Sequence, residues 1–200
     1  MFKPNMTDCI VRNVKFVRTN LYLTNMTGCV LEGAGFSDAV LSGAIFHGAI
    51  FTNTILGNAD LSGADLIGAM FDNVDLTKAK MGDAKLPLDL HKLSKTIQQI
   101  ITQHSEWLMS NGKKGERAAF SSVDMSNVDL SGANLPTVDL SYCVIKGAGM
   151  QKSEFLMADL PFTDLRGADM GRTDLHGVKL KRANLRNANL VGAVFSEVNV

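Results

Sequence analysis

Ala59-Asp60-Leu61-Ser62-Gly63-Ala64-Asp65-Leu66-Ile67-Gly68 contains two copies of a five-residue unit: a small residue, a polar one, leucine, a variable position and glycine. Stepping by five from Leu61, back to Met6 and on to Leu86, meets seventeen residues, all of them apolar. A second series from Phe120 to Val200 supplies seventeen more, again without a polar member. In a chain that is 46% apolar such a run is not chance, so the period of five outranks any helix or strand propensity.

The number five dictates a geometry. In extended chain side chains alternate between faces, so the central residue i and residue i−2 point one way while i−1 points the other. The i−2 column agrees, holding Ala34, Ala39, Ala44, Ala49, Ala59 and Ala64, with Cys9, Val14, Thr24, Cys29 and Thr54 at other steps. Because five is odd, positions i+1 and i+2 must turn the chain before the next central residue can face inward. Ser, Thr, Asp, Asn and Gly crowd those two places, as turn chemistry asks. Short faces joined by corners give a coil with a filled interior, whose turns stack about 4.8 Å apart through backbone hydrogen bonds. The period alone leaves open whether three or four faces close one turn.

Ala59 to Gly68, Ala133-Asn134-Leu135 and Ala183-Asn184-Leu185-Arg186-Asn187 match the pattern A(D/N)LXX, and the chain resembles the pentapeptide-repeat family over about residues 4–88 and 118–200. The resemblance implies an all-β fold, a right-handed quadrilateral β-helix (β-solenoid) with four units to a coil, interrupted here by one α-helical insertion. The expected segments are a first array over 1–88, a helical insertion with a basic turn over 89–117, and a second array over 118–200.

Formal charge balances at zero, twenty basic residues against twenty acidic, so neither a polyanion-binding nor a DNA-mimicking excess is visible globally. Met1-Phe2-Lys3-Pro4-Asn5 has no apolar targeting core, and no run approaches the roughly 18 apolar residues of a membrane span. A cytoplasmic protein without a membrane partner is expected. Three cysteines make no disulfide framework. Cys9 and Cys29 nevertheless stand twenty residues apart, stacked and inward on a four-faced coil. They read as small reduced core residues or, more sharply, as a redox-sensitive pair.

The step from Leu86 to Phe120 is not a multiple of five, and there alone the chain has helical period. Leu90, Leu93, Ile97, Ile100, Ile101, His104, Trp107 and Leu108 fall on one stripe. Pro87 precedes it, Gly112 is placed to stop it, and the basic turn Asn111-Gly112-Lys113-Lys114-Gly115-Glu116-Arg117 follows. Such a stripe needs cover. A cap over the open end of the first stack is one expectation; a partner-docking helix anchored by Trp107, with Leu108 beside it, is the other. His104 reads as a half-buried packing residue rather than a ligand.

No GxxxxGK, HExxH, CxxC or GxSxG motif occurs. His47 and His176 point outward from different arrays, and the aspartates at i−1, such as Asp60, Asp65, Asp129, Asp139, Asp159, Asp169 and Asp174, are repeat consensus on a solvated face. No enzyme activity, cofactor or metal is expected. Residues twenty apart should lie one above another, which pairs Asp60 with Lys80 and Asp65 with Lys85, each worth about 0–1 kcal/mol. By the same rule Lys146, Arg166 and Arg186 share a column, and Lys152 with Arg172 form another. Together they would make a basic ridge able to meet an acidic protein or phosphates. The last coil is apolar, and solenoid edges expose unpaired backbone. Phe195, Val198 and Val200 are therefore the expected contact of a homodimer through the C-terminal coil.

The expected function is a non-enzymatic protein-binding or scaffold module whose protein partner is unknown. The resemblance implies an alternative, because some pentapeptide-repeat proteins imitate duplex DNA, bind type II topoisomerases such as DNA gyrase, and protect them from quinolones. Those mimics are strongly acidic and dimerise through a C-terminal helix. This chain is neutral, shows no helical period near residue 200, and carries basic columns. Direct nucleic-acid binding is not expected.

Overall fold

The computed structural model describes residues 4–90, 93 and 95–196. The chain divides into two compact units, Met1–Pro87 and Leu88–Val200. Each is a right-handed square coil. Parallel bridges join outward i−1 residues to those twenty positions later: Asn5, Asn25, Ile45, Asp65 and Lys85 form one ladder, Ile10, Val30 and Ile50 a second, and Ala119, Asp139, Asp159 and Lys179 a third. A register of twenty at five residues per face means four faces. Where a rung lengthens it becomes a strand: β1 (Ile50–Thr52) pairs in parallel with β2 (Met70–Asp72), and β3 (Leu88–Asp89) with β4 (Val123–Asp124).

The corners explain the composition of the repeat. Residue i+2 adopts the left-handed conformation, as Asp8, Asn13, Asp38, Asn53 and Asn58 do with φ between 52° and 60°. Glycine takes this conformation at no steric cost, and Asn and Asp tolerate it, so those residues gather at the corners. The outward aspartate or asparagine at i−1 then accepts the N–H of residue i+1: Ser62 donates to Asp60 (3.0 Å), Ser131 to Asp129 (2.9 Å), and Thr27 to Asn25 (3.0 Å).

Inside the first unit Leu31, Phe36, Leu41, Phe46, Phe51, Leu61 and Leu66 are fully buried. Its phenylalanines stack from coil to coil, Phe16 on Phe36 at 5.0 Å and Phe51 on Phe71 at 4.9 Å. The second unit fills the same columns mostly with aliphatic side chains, among them Met125, Leu135, Leu140, Ile145, Leu160 and Leu165. Most polar members of the small i−2 column bond a backbone carbonyl inside the coil, although the buried Thr24 hydroxyl has no partner. Thr54 donates to the Leu31 carbonyl (2.6 Å), Thr163 to Leu140 (2.8 Å), Thr173 to Met150 (2.7 Å), and the Cys143 thiol to Phe120 (2.9 Å). At these four positions a hydroxyl or thiol replaces alanine without leaving an orphaned donor.

The insertion forms helix α1 (Ile97–Met109), started by a capping box in which Gln99 N–H donates to Thr96 Oγ1 and Thr96 N–H to Gln99 Oε1. Its apolar stripe, expected as a cap on the first stack, finds its cover within the second unit. Leu90, Leu93, Ile97, Ile100 and Ile101 pack against the core of the second unit. The reason is the preceding segment: Leu88 N–H donates to Ser122 O (2.7 Å) in the β3–β4 rung, so the chain has already joined the second stack before the helix begins. Gly115, with φ 70°, lets the basic turn fold back on the helix, since a Cβ there would lie 2.1 Å from the Gln103 carbonyl oxygen. Glu116 closes that turn by pairing with Lys95 (2.6 Å). Among the described residues no helix is long and apolar enough to cross a membrane.

Candidate partner-binding surface

The helical candidates are partly spent on the fold. Trp107 is half-buried and stacks on His104, with ring centroids 5.7 Å apart and planes at 13°. Leu108 beside it is half-buried, and the large apolar group that α1 does expose is Met109. His104 is more than the half-buried packing residue expected. It is fully buried, accepting the Ala118 N–H at Nδ1 (3.0 Å) while Nε2 lies 3.0 Å from the Pro136 carbonyl oxygen. Both bonds exist together only in the neutral Nε2–H tautomer. Burial holds the imidazole below its ordinary value of 6.5, with the Pro136 bond opposing and the Arg117 charge adding to the shift.

The basic columns are interrupted. Lys146 and Arg186 are exposed, but the Arg166 side chain is only 11% exposed and grips Asp164, which is 2% exposed, through Nε–Oδ1 (2.8 Å) and a second guanidinium contact of 2.6 Å. The middle cation of the expected ridge is therefore neutralised within its own turn. Lys152 and Arg172 are exposed, both at left-handed corners with φ 58° and 59°.

The aspartates also serve the turns. Hydrogen bonds from Ser62 hold Asp60 below the ordinary carboxylate range, those from Ser131 do so for Asp129, and the backbone and ring of His176 for Asp174. His47 Nε2 contacts Asp65 (2.8 Å), and Lys85 reaches the same carboxylate (3.3 Å). No cluster of metal-ligating side chains occurs among the described residues. At the C-terminal coil Phe195 is 49% exposed, whereas Val198 and Val200 lie outside the described residues.

One cluster escaped the reading by columns. Tyr142 and Phe162 occupy left-handed corners, φ 60° and 56°, and stack face to face on the outside of the coil at 5.1 Å and 3°. Leu156 and Met157 stand exposed in the same unit, Met157 also left-handed at φ 55°. The signal was present in the sequence, because bulky apolar residues stand at i+2, where Gly, Asn or Asp would be unstrained. In the outward direction, tyrosine, phenylalanine and methionine are the anomaly.

A family model described as pentapeptide repeats matches eight copies over residues 19–58, 44–83, 116–150, 143–182 and 158–196. No curated protein matches the chain. Among solved structures, alr5209, a pentapeptide repeat protein from Nostoc PCC 7120, is 28% identical over 55% of this chain and 78% of its own, with a TM-score of 0.43. HetL from Nostoc sp. PCC 7120, involved in heterocyst differentiation regulation, is 18% identical over 96% of this chain and 92% of its own, with a TM-score of 0.32. QnrB1, a plasmid-mediated fluoroquinolone resistance protein, is 17% identical over 97% and 92%, with a TM-score of 0.37. These likenesses concern the repeat and extend to no partner or activity.

Proposed function

The chain belongs to the pentapeptide-repeat family, and on that premise we propose that it is a non-enzymatic protein-binding scaffold whose docking face is the Tyr142–Phe162 corner. The observation that carries this reading is the stacked aromatic pair held outside the core in a backbone conformation that disfavours it. A left-handed backbone costs an ordinary side chain about 1–2 kcal/mol. Both rings are half-buried, yet the turn does not need them to close, since Gly147 and Gly167 stand at the same repeat position. Rigid aromatic groups on a fixed backbone are good interface anchors, because they bury large area with few torsions to freeze. Leu156 and Met157 are also exposed, at the corner one repeat before Phe162, and methionine is an adaptable contact residue.

A DNA-like face for a type II topoisomerase is the weaker reading. Asp159, Asp164 and Asp169 stand on three successive faces, in ladders that continue to Lys179, Asn184 and Asn189, and are met by Lys179 (2.9 Å), Arg166 and Gln151 (2.6 Å) respectively. A homodimer through the Phe195 coil is a separate proposal, tested by light scattering at micromolar concentration, where a monomer would refute it.

The docking face is tested by Tyr142→Asn with Phe162→Asn. Asparagine suits the left-handed corner, so the double variant should melt at or above the wild-type temperature yet lose the protein that wild type captures from its host lysate. Lys152→Glu with Arg172→Glu is the control expected to retain it. Retention by the aromatic variant and loss by the charge variant would move the docking surface to the basic column.

A further inference from the structure

Cys9 and Cys29 occupy the same inward i−2 column on successive coils, and the structure pairs their sulfurs as a disulfide with Cα atoms 4.6 Å apart. That separation is set by stacking of the coils, since parallel rungs join Asn5 to Asn25 and Ile10 to Val30 on either side. It also falls inside the window that a disulfide needs. The bridge therefore forms without moving the backbone. The two sulfurs differ in access: Cys29 is fully buried, while Cys9 is only half-buried. Cys29 Sγ also lies 2.8 Å from the Met6 carbonyl oxygen, the bond by which its thiol is satisfied when reduced. The third cysteine shows what an inert member of this column looks like. Cys143 is fully buried, and burial pushes its thiol up to about 12.

We propose that Cys9 is an oxidative modification site that takes a small disulfide of the glutathione class, and that Cys29 resolves it into a reversible staple between the first two coils. The Cys9 thiolate attacks one sulfur of the small disulfide, forming a mixed disulfide on Cys9 and expelling one thiolate. The Cys29 thiolate then attacks the Cys9 sulfur, forming the Cys9–Cys29 bond and expelling the second. Two protein thiols are oxidised by two electrons, their two protons leave, and the small disulfide is reduced to two thiols. Excess small thiol runs the sequence backwards. The staple closes a twenty-residue loop, which restricts local opening of the first two coils. Val11 N–H, bonded to Val30 O, and Val30 N–H, bonded to Cys9 O, report on that opening directly.

The test treats the folded full-length chain with glutathione disulfide or with reduced glutathione, then alkylates and maps the peptides. The expected result is coupled loss of alkylation at Cys9 and Cys29 under oxidation, with their peptides joined, full reversal by thiol, and Cys143 unreactive in both. Exchange of the Val11 and Val30 amides should slow at least about tenfold in the oxidised form, with the second unit unchanged. Cys29→Ser should stall with one glutathione on Cys9, and Cys9→Ser should take none. Bridging that appears only after denaturation, or modification of Cys29 in Cys9→Ser, would overturn the proposal. Unchanged amide exchange on oxidation would overturn the staple.

Discussion

The two arrays share one backbone and differ in what they hang on it. Along the outward i−1 positions the first carries Val30, Val40, Ile45, Ile50 and Ile55 in succession, with Gly35 among them, where the second carries Asp124, Asp129, Asp139, Asp159, Asp164, Asp169 and Asp174. Ile55 is 58% exposed and Ile10 66%. Yet rungs form in both: Ile45 bridges Asp65 in the first unit as Asp139 bridges Asp159 in the second. The carboxylate at i−1 is therefore an aid to the turn and not its cause. Closure rests on the left-handed residue at i+2 and the filled interior, which both units keep. The outer face is left free to differ.

The sharpest attack on this equivalence is at the core. Phe51→Ala removes a ring packed between Phe46 (5.2 Å) and Phe71 (4.9 Å) and should cost about 3–5 kcal/mol. Hydrogen exchange would locate the loss in residues 4–87, with amides of 118–196 unaffected. The next effect belongs to the second unit. His104→Leu leaves the Ala118 N–H and Pro136 carbonyl without their partner and should cost about 1–3 kcal/mol. In the wild type the folded imidazole resists protonation, so the unfolded chain takes the proton first. Stability of the second unit should then fall as pH drops from 6.5 towards the lowered folded value, and thermal melts of His104→Leu should lose this slope. The carboxylates contribute in a lower window, below their ordinary 3.8, where Asp60 and Asp129 lose their bonds to Ser62 and Ser131.

Exchanging outward residues tests the comparison itself. Asp139→Val removes the acceptor of Ser141 N–H (2.9 Å) and should cost about 0.5–1.5 kcal/mol by chemical denaturation. Ile55→Asp gives the first array the acceptor it lacks there, and should be neutral or stabilising by up to about 1 kcal/mol. A large loss from Ile55→Asp would mean that the apolar ladder is structural after all. The smallest effect is expected for Arg12→Gln. Its pair with Glu32 spans 3.0 Å between well-exposed groups, so a change below about 0.5 kcal/mol that vanishes in high salt is anticipated.

Much of this was legible because the repeat constrains position more than identity. The inward columns, the corner at i+2, the rungs from Asp65 to Lys85 and the presence of a helix between the arrays all follow from counting, although the helix starts at the Thr96 cap and ends at Met109, before Gly112. Counting failed where a contact runs sideways. Arg166 bonds Asp164 two residues away in the same turn, and a view that looks only from coil to coil leaves Arg166 exposed. Nor could periodicity say which stack the helix serves, since that depends on the Leu88–Ser122 bond across 34 residues of chain. Tyr142 and Phe162 stand at i+2 positions that counting locates, but what marks them is the left-handed backbone of those positions, not their hydropathy.

The register of twenty makes each unit behave as an indexed shaft. Each rung bonds only to its neighbours one coil away, so removal of twenty residues from within an array would rejoin matching faces and merely shorten it. Removal of five would keep every inward residue inward, yet advance all later side chains by a quarter turn. Length can therefore change without loss of fold, while the angular position of Tyr142 and Phe162 relative to earlier columns of their own unit is set by the residue count modulo four repeats.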